Sequence, residues 1–239
     1  MSELKQPSSG RIGAAVVGGI VGAAVMAVLL VFLAPQLLGS RIVRAGMMAD
    51  PQILVDAGEA LRDRQYEPVL AQHRAELDTP FGTSWKGASK PDVTLVEFFD
   101  YACPYCKASN PVVERLLQED KTVRVVYREL PILGPDSVTA ARLSLAASKA
   151  GRFAQFHDAL WAAGRPSAET LASASQSAGI PAQPAESADI EAELKKNFEL
   201  AGQLGATGTP LFIVGNRVIN SAVSYEELKK AIDDARTKS

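Results

Sequence analysis

The chain has 239 residues, enough for one domain plus an accessory segment or for two small domains. Its 47% hydrophobic and 22% charged composition suits a globular chain, and 25 Lys+Arg against 27 Asp+Glu leave no basic surplus for general nucleic-acid binding. Two Cys and two scattered His exclude a disulfide-stapled scaffold and argue against a four-ligand zinc site.

In chain order, residues 1–11 form a short tail, expected on the cytoplasmic side. Ile12 to Ala34 then runs 23 residues without a charge, long enough for a helix to cross a bilayer. The run is apolar all round, whereas a core helix would show a polar stripe. A cleavable signal peptide is the rival reading. The run exceeds a usual h-region, and Pro35 follows the only plausible cleavage residue, so an uncleaved anchor is preferred. Arg41 and Arg44 offset Lys5 and Arg11, so charge does not set the orientation.

Residues 35–78 read as a helical stalk. Asp50-Pro51 can start a helix, Leu54, Ala57 and Leu61 recur at helical spacing, and Pro68 punctuates the run. This stretch has too little apolar surface for its own core. It is expected to pack on the main domain, on the membrane or on copies of itself, and homo-oligomerisation is the favoured reading. Thr79 to Pro91 is read as a turn-rich connector.

The domain proper is placed at 79–239. Val93 to Phe99 is β-branched and aromatic, as a buried central strand would be. A helix from the Cys pair to about Leu117 and a strand from Val123 to Leu130 complete a parallel βαβ unit. Residues 136–204 look helical, broken at Pro166, Pro181 and Pro184. A hairpin turns at Gly215-Asn216, and a closing helix starts at Ser224 with Glu227 in capping-box spacing.

The chemistry concentrates in Cys103-Pro104-Tyr105-Cys106. A helix start presents unpaired N–H groups and partial positive charge, which favour a thiolate, the nucleophile of disulfide exchange. Cys103, at the strand-to-helix junction, is expected to be the exposed attacking sulfur. Cys106, one turn in, is expected to be buried and to resolve the mixed disulfide. Two structural cysteines, or half a metal site, are the bland alternative. Glu97 sits inside the apolar strand, where burial raises a carboxyl's pKa and lets it take a proton from Cys106. An ion-paired structural Glu is the other reading. Thr209-Pro210 precedes the strand from Leu211. A cis bond there would set backbone groups beside Cys103, ready for an extended peptide. His73, in a charged helix, is read as solvated. His157, beside Phe153, Phe156 and Trp161, is read as a partly buried packing residue. No metal site is assigned.

Val96–Cys106, Glu129–Gly134 and Gly208–Pro210 together resemble the DsbA-like branch of the thioredoxin superfamily. The resemblance implies an α/β thioredoxin-like fold with an inserted helical domain, here preceded by the membrane helix and the stalk. It places the attacking and resolving cysteines on Cys103 and Cys106, the buried acid on Glu97 and the cis-proline on Pro210. Pro104, Tyr105 and Thr209 join Pro210 as substrate-binding residues. From Cys106 to Pro210 is 210 − 106 = 104 positions, room for the inserted helices that a minimal thioredoxin lacks. The Pro-Tyr dipeptide, Thr209 and the preceding helical segment are closer to ScsC-type proteins, some of which oligomerise through that segment. The resemblance implies a protein disulfide oxidoreductase or isomerase acting in the periplasm from a single-pass inner-membrane anchor. It needs no cofactor, takes protein thiols and disulfides as substrates, and relies on a membrane redox partner. A copper-binding or holdase module on the same fold is the alternative.

Overall fold

The computed structural model describes residues 22, 26–27, 39–41, 43–183 and 187–237. The anchor expected over 12–34 lies outside the described residues, apart from Gly22, Met26 and Ala27, which are helical. Among the described residues no helix is long and apolar enough to cross a membrane.

Two compact units divide the chain, residues 1–59 and 60–239. In the first, residues 39–41 and 43–49 are helical, and α1 (Gln52–Asp78) begins. Asp50 caps α1, its carboxylate accepting the Gln52 N–H at 3.1 Å. Val43, Met48, Ile53, Leu54 and Val55 are exposed. Pro68 does not interrupt α1, contrary to the sequence reading. The proline removes one helical hydrogen bond, but the turns after it are held by burial, since Leu70 and Leu77 are wholly enclosed.

The second unit is built on a five-stranded sheet. Its strands are β1 (Trp85–Gly87), β2 (Val93–Phe99), β3 (Val123–Glu129), β4 (Leu211–Val214) and β5 (Arg217–Ile219), in the order β1-β3-β2-β4-β5. β2 and β3 run parallel through the crossover α2 (Pro104–Glu119), as expected; the other neighbours are antiparallel. β1 lies inside the expected connector. Its three residues are too few to show an alternating pattern, and it is fixed only by pairing with β3. Gly87 ends it at φ +97, where a Cβ would meet the Val123 carbonyl that bonds the Ala88 N–H.

Alternate residues of β2 feed two cores. Leu95 and Phe99 face one, with Val125, Tyr127, Phe212 and the helices α4 (Phe153–Ala163) and α7 (Tyr225–Thr237). Val96 and Phe98 face the other, with Val126, Ile213, and Leu70 and Leu77 of α1. Each such side chain stabilises the fold by about 1.5–3 kcal/mol on burial. The helical insertion comprises α3 (Pro135–Lys149), α4, α5 (Ala168–Ala178) and α6 (Ala188–Gln203). Phe153, Phe156 and Trp161 of α4 are core residues, as expected. The Ser224–Glu227 capping box before α7 is present, with the Glu227 N–H donating to Ser224 Oγ at 3.2 Å.

Ala60–Asp78, read from the sequence as part of the stalk, belongs to the compact second unit. Arg128 of β3 fixes its end. Arg128 is 2% exposed and donates to Glu193 (3.1 Å) and Asn197 (2.9 Å) of α6, and to the carbonyls of Glu76, Leu77 and Thr79 where α1 stops. A guanidinium at a helix C-terminus satisfies the last carbonyls and opposes their partial negative charge.

Candidate active site

β2 ends at Phe99, and four residues later Cys103 is the N-cap of α2, with Pro104 in its first turn. The Cys103 N–H donates to the Asp100 carbonyl (3.0 Å), and its own carbonyl accepts from Lys107 N–H (3.1 Å). Cys103 and Cys106 are free thiols. The Thr209–Pro210 peptide bond is cis, and Cys103 Sγ donates to the Thr209 carbonyl at 3.2 Å. The Thr209–Pro210 turn thus meets the thiol at the start of α2, where Pro104 and Tyr105 follow Cys103 in the chain.

One expectation needs correction. Cys103 is not openly exposed: it keeps 5% of its surface, because the Thr209–Pro210 turn lies over its sulfur. The exposed part of the motif is Pro104-Tyr105, with Tyr105 65% exposed. Cys106 is fully enclosed. Burial pushes its thiol well above the usual range, and the charge of Glu97 adds to this.

Glu97 is 4% exposed and lies on the sheet face that supports Cys106. Burial, with the Glu114 charge adding to it and Lys86 opposing, raises its pKa to about 8. Lys86 of β1 gives its ion pairs to Glu114 and Asp158, each at 2.5 Å. The sign of the linkage is definite. An acid whose folded pKa lies above its unfolded value costs stability as pH rises between the two. From pH 4.5 to 8, Glu97→Gln should therefore gain on the native chain by roughly 4 kcal/mol in total, about 1.36 per pH unit. Urea unfolding across that range checks this; parallel stability curves would refute a buried neutral Glu97.

Tyr101, Ser144, Glu129 and Asp100 near the site are not picked out by the sequence reading. Tyr101 OH lies 3.0 Å from Ser144 Oγ and 3.1 Å from His157 Nδ1, and Trp161 Nε1 donates to His157 Nε2 at 3.1 Å. His157 is 1% exposed, more buried than expected, and burial holds its pKa well below the usual range. An acceptor Nε2 makes it the neutral Nδ1–H tautomer. Glu129 is a second buried acid, pushed well up by burial and by the charge of Asp100. Asp100 itself is 1% exposed, a charged residue directly after a buried strand, and that position is its only sequence signal. His73 is half-buried rather than solvated, its Nδ1 3.0 Å from Glu76 Oε2. Among the described residues no group of three or more His, Cys, Asp or Glu side chains converges as a metal site.

Comparisons with known proteins agree with this geometry. The DSBA-like thioredoxin domain family matches residues 94–233. A periplasmic thioredoxin-like protein of Salmonella enterica serovar Typhimurium superposes with a TM-score of 0.63 at 30% identity, over 69% of this chain and 95% of that one. The catalytic domain of Proteus mirabilis ScsC gives 0.65 at 27% identity, over 70% and 97%. A Rickettsia prowazekii (strain Madrid E) protein, provisionally named a protein-disulfide oxidoreductase, is 29% identical over 62% of this chain and 60% of its own length. Two Na(+)/H(+) antiporters of Salinispora match over 79 residues, and this chain spans only 12% of their length. With the family covering more than half of the sequence, and with the thiols, the cis-proline and the inserted helices in place, this chain belongs to the DsbA-like thioredoxin-domain family.

Proposed function

We propose that the chain is a thiol–disulfide oxidoreductase of the bacterial envelope, anchored in the inner membrane by residues 12–34 with its catalytic unit in the periplasm. The observation that carries the reading is the pair of free thiols at the start of α2, with the Cys103 sulfur against the Thr209 carbonyl. The uncharged run 12–34 and the periplasmic Salmonella neighbour support the placement. Self-association through the stalk, where Val43, Ile53 and Leu54 are exposed, belongs to the same proposal; a monomeric mass for the full chain in detergent would remove it.

In the reductive direction, the Cys103 thiolate attacks one sulfur of a substrate disulfide. A Cys103–substrate disulfide forms, and the other substrate sulfur leaves with the electron pair and takes a proton. The ionised form of Glu97, in exchange with its neutral form near a pKa of about 8, takes the Cys106 proton as Cys106 attacks the Cys103 sulfur. The Cys103–Cys106 disulfide forms and the first substrate sulfur is released. The substrate has gained two electrons and the pair has lost them, so no cofactor enters. A membrane redox partner returns the pair to its working state. The oxidase direction is the same sequence reversed. Isomerase, reductase or oxidase action follows from the reduction potential of the pair. Pro104, Tyr105, Thr209 and Pro210 hold the substrate peptide, with the Thr209 carbonyl free to pair with its backbone once the sulfur has moved.

The test is refolding of a scrambled-disulfide protein by the full chain in detergent. The native chain should accelerate it, and Cys103→Ser should lose the effect. A Cys103→Ser chain as active as the native one would leave a binding module that needs no thiol.

A further inference from the structure

Asp100 has no part in the exchange steps, yet it is the most connected side chain around the thiols. Its Oδ1 accepts the Ala102 N–H at 2.8 Å. Its Oδ2 accepts the N–H groups of Ile132 (2.9 Å) and Leu133 (3.0 Å). Its carbonyl holds the Cys103 N–H at 3.0 Å. A buried carboxylate is costly unless its oxygens are filled, and bonds to an ionised acceptor are the stronger kind.

These bonds join two loops, Asp100–Cys103 after β2 and Pro131–Leu133 after β3. Pro131 is buried and anchors the start of the loop, but Ile132 and Leu133 are 43% and 44% exposed, so packing does little to hold these two residues. The hydrogen bonds to Asp100 hold their backbone, and the Asp100 carbonyl in turn holds the Cys103 N–H.

We propose that Asp100 is a positioning residue that sets the effective concentration of the Cys106 sulfur at Cys103, and through it the reduction potential of the pair. The inference rests on the thiol-exchange reading above. Its bonds to the amides of Ala102, Cys103, Ile132 and Leu133 involve no sulfur, so they persist in dithiol and disulfide alike. They restrict the loop in both states and so favour ring closure. Loosening them makes the disulfide easier to reduce.

The experiment equilibrates the full chain in detergent with mixtures of glutathione and its disulfide. The pair gives two electrons and two protons to glutathione disulfide, which yields two glutathione molecules and the closed Cys103–Cys106 bond. Acid trapping and intact mass give the equilibrium constant. Asp100→Asn keeps the shape but has one acceptor oxygen, and it should lower the constant about tenfold, ~30 mV toward a stronger oxidant. Ile132→Pro, at an exposed loop position, removes one donor and leaves Asp100 in place. It should move the constant the same way and serves if the Asp100 variants do not fold. A constant within about twofold of the native value in whichever of these variants folds overturns the proposal, since a merely structural contact would move the unfolding midpoint and not this ratio. A native chain that never equilibrates with glutathione overturns the exchange reading itself.

Discussion

Replacing Cys106 by serine should stop turnover and leave the substrate covalently attached through Cys103. The two sulfurs divide the work by position. Cys103 touches the edge of the molecule beneath the Thr209 carbonyl, whereas Cys106 is enclosed against the sheet face that carries Glu97. Burial keeps the Cys106 thiol protonated, so it waits until the mixed disulfide puts a leaving sulfur beside it and an ionised Glu97 accepts its proton. Without it, release depends on a thiol from solution. Intramolecular attack carries effective molarities far above any dissolved thiol, so the steady-state rate should fall by on the order of 10³. Non-reducing electrophoresis and intact mass should show the adduct. A rate within about tenfold of the native chain, or no adduct, would mean that Cys106 does not resolve.

Arg128→Ala should be the most damaging change away from the thiols. The guanidinium is buried between β3, α6 and the end of α1, where it meets Glu193, Asn197 and three carbonyls. Its removal leaves the enclosed Glu193 carboxylate with Lys196 as its remaining cation, and leaves the last carbonyls of α1 without the guanidinium. Breaking one side of such a pair costs about 3–5 kcal/mol. For a unit of this size that lowers Tm by roughly 10 °C. Calorimetry of the full chain checks it. A loss below about 1 kcal/mol would mean that water replaces the guanidinium without penalty.

The thiol pair and the βαβ unit are legible in the sequence because each rests on local chemistry: two cysteines one turn apart after an apolar strand need no knowledge of distant residues. The cis-proline is legible only through the family resemblance, because a Thr-Pro before a strand suits an ordinary trans turn equally well. β1 escapes such reading because three residues carry no period, and only β3 makes them a strand. Asp100 escapes it because its partners lie 32 and 33 positions away, and they are backbone amides that any residue there would offer. Cys103 is less open than expected for the same reason: what covers it is a carbonyl 106 positions along the chain. Pro68 misleads in the other direction. Locally it breaks a helix, and only the enclosure of Leu70 and Leu77 shows why the helix carries on.

The parity of β2 bears on how such a protein can be cut and joined. Its even-numbered side chains, Val96 and Phe98, share their cover with Leu70 and Leu77. A shortened form starting at Thr79 would retain every group around the thiols and lose the lid on the opposite slab. That slab would then be a sticky plane inviting clumping or borrowed helices from neighbouring copies. Anyone grafting this catalytic module onto another carrier should make the seam upstream of Ala60.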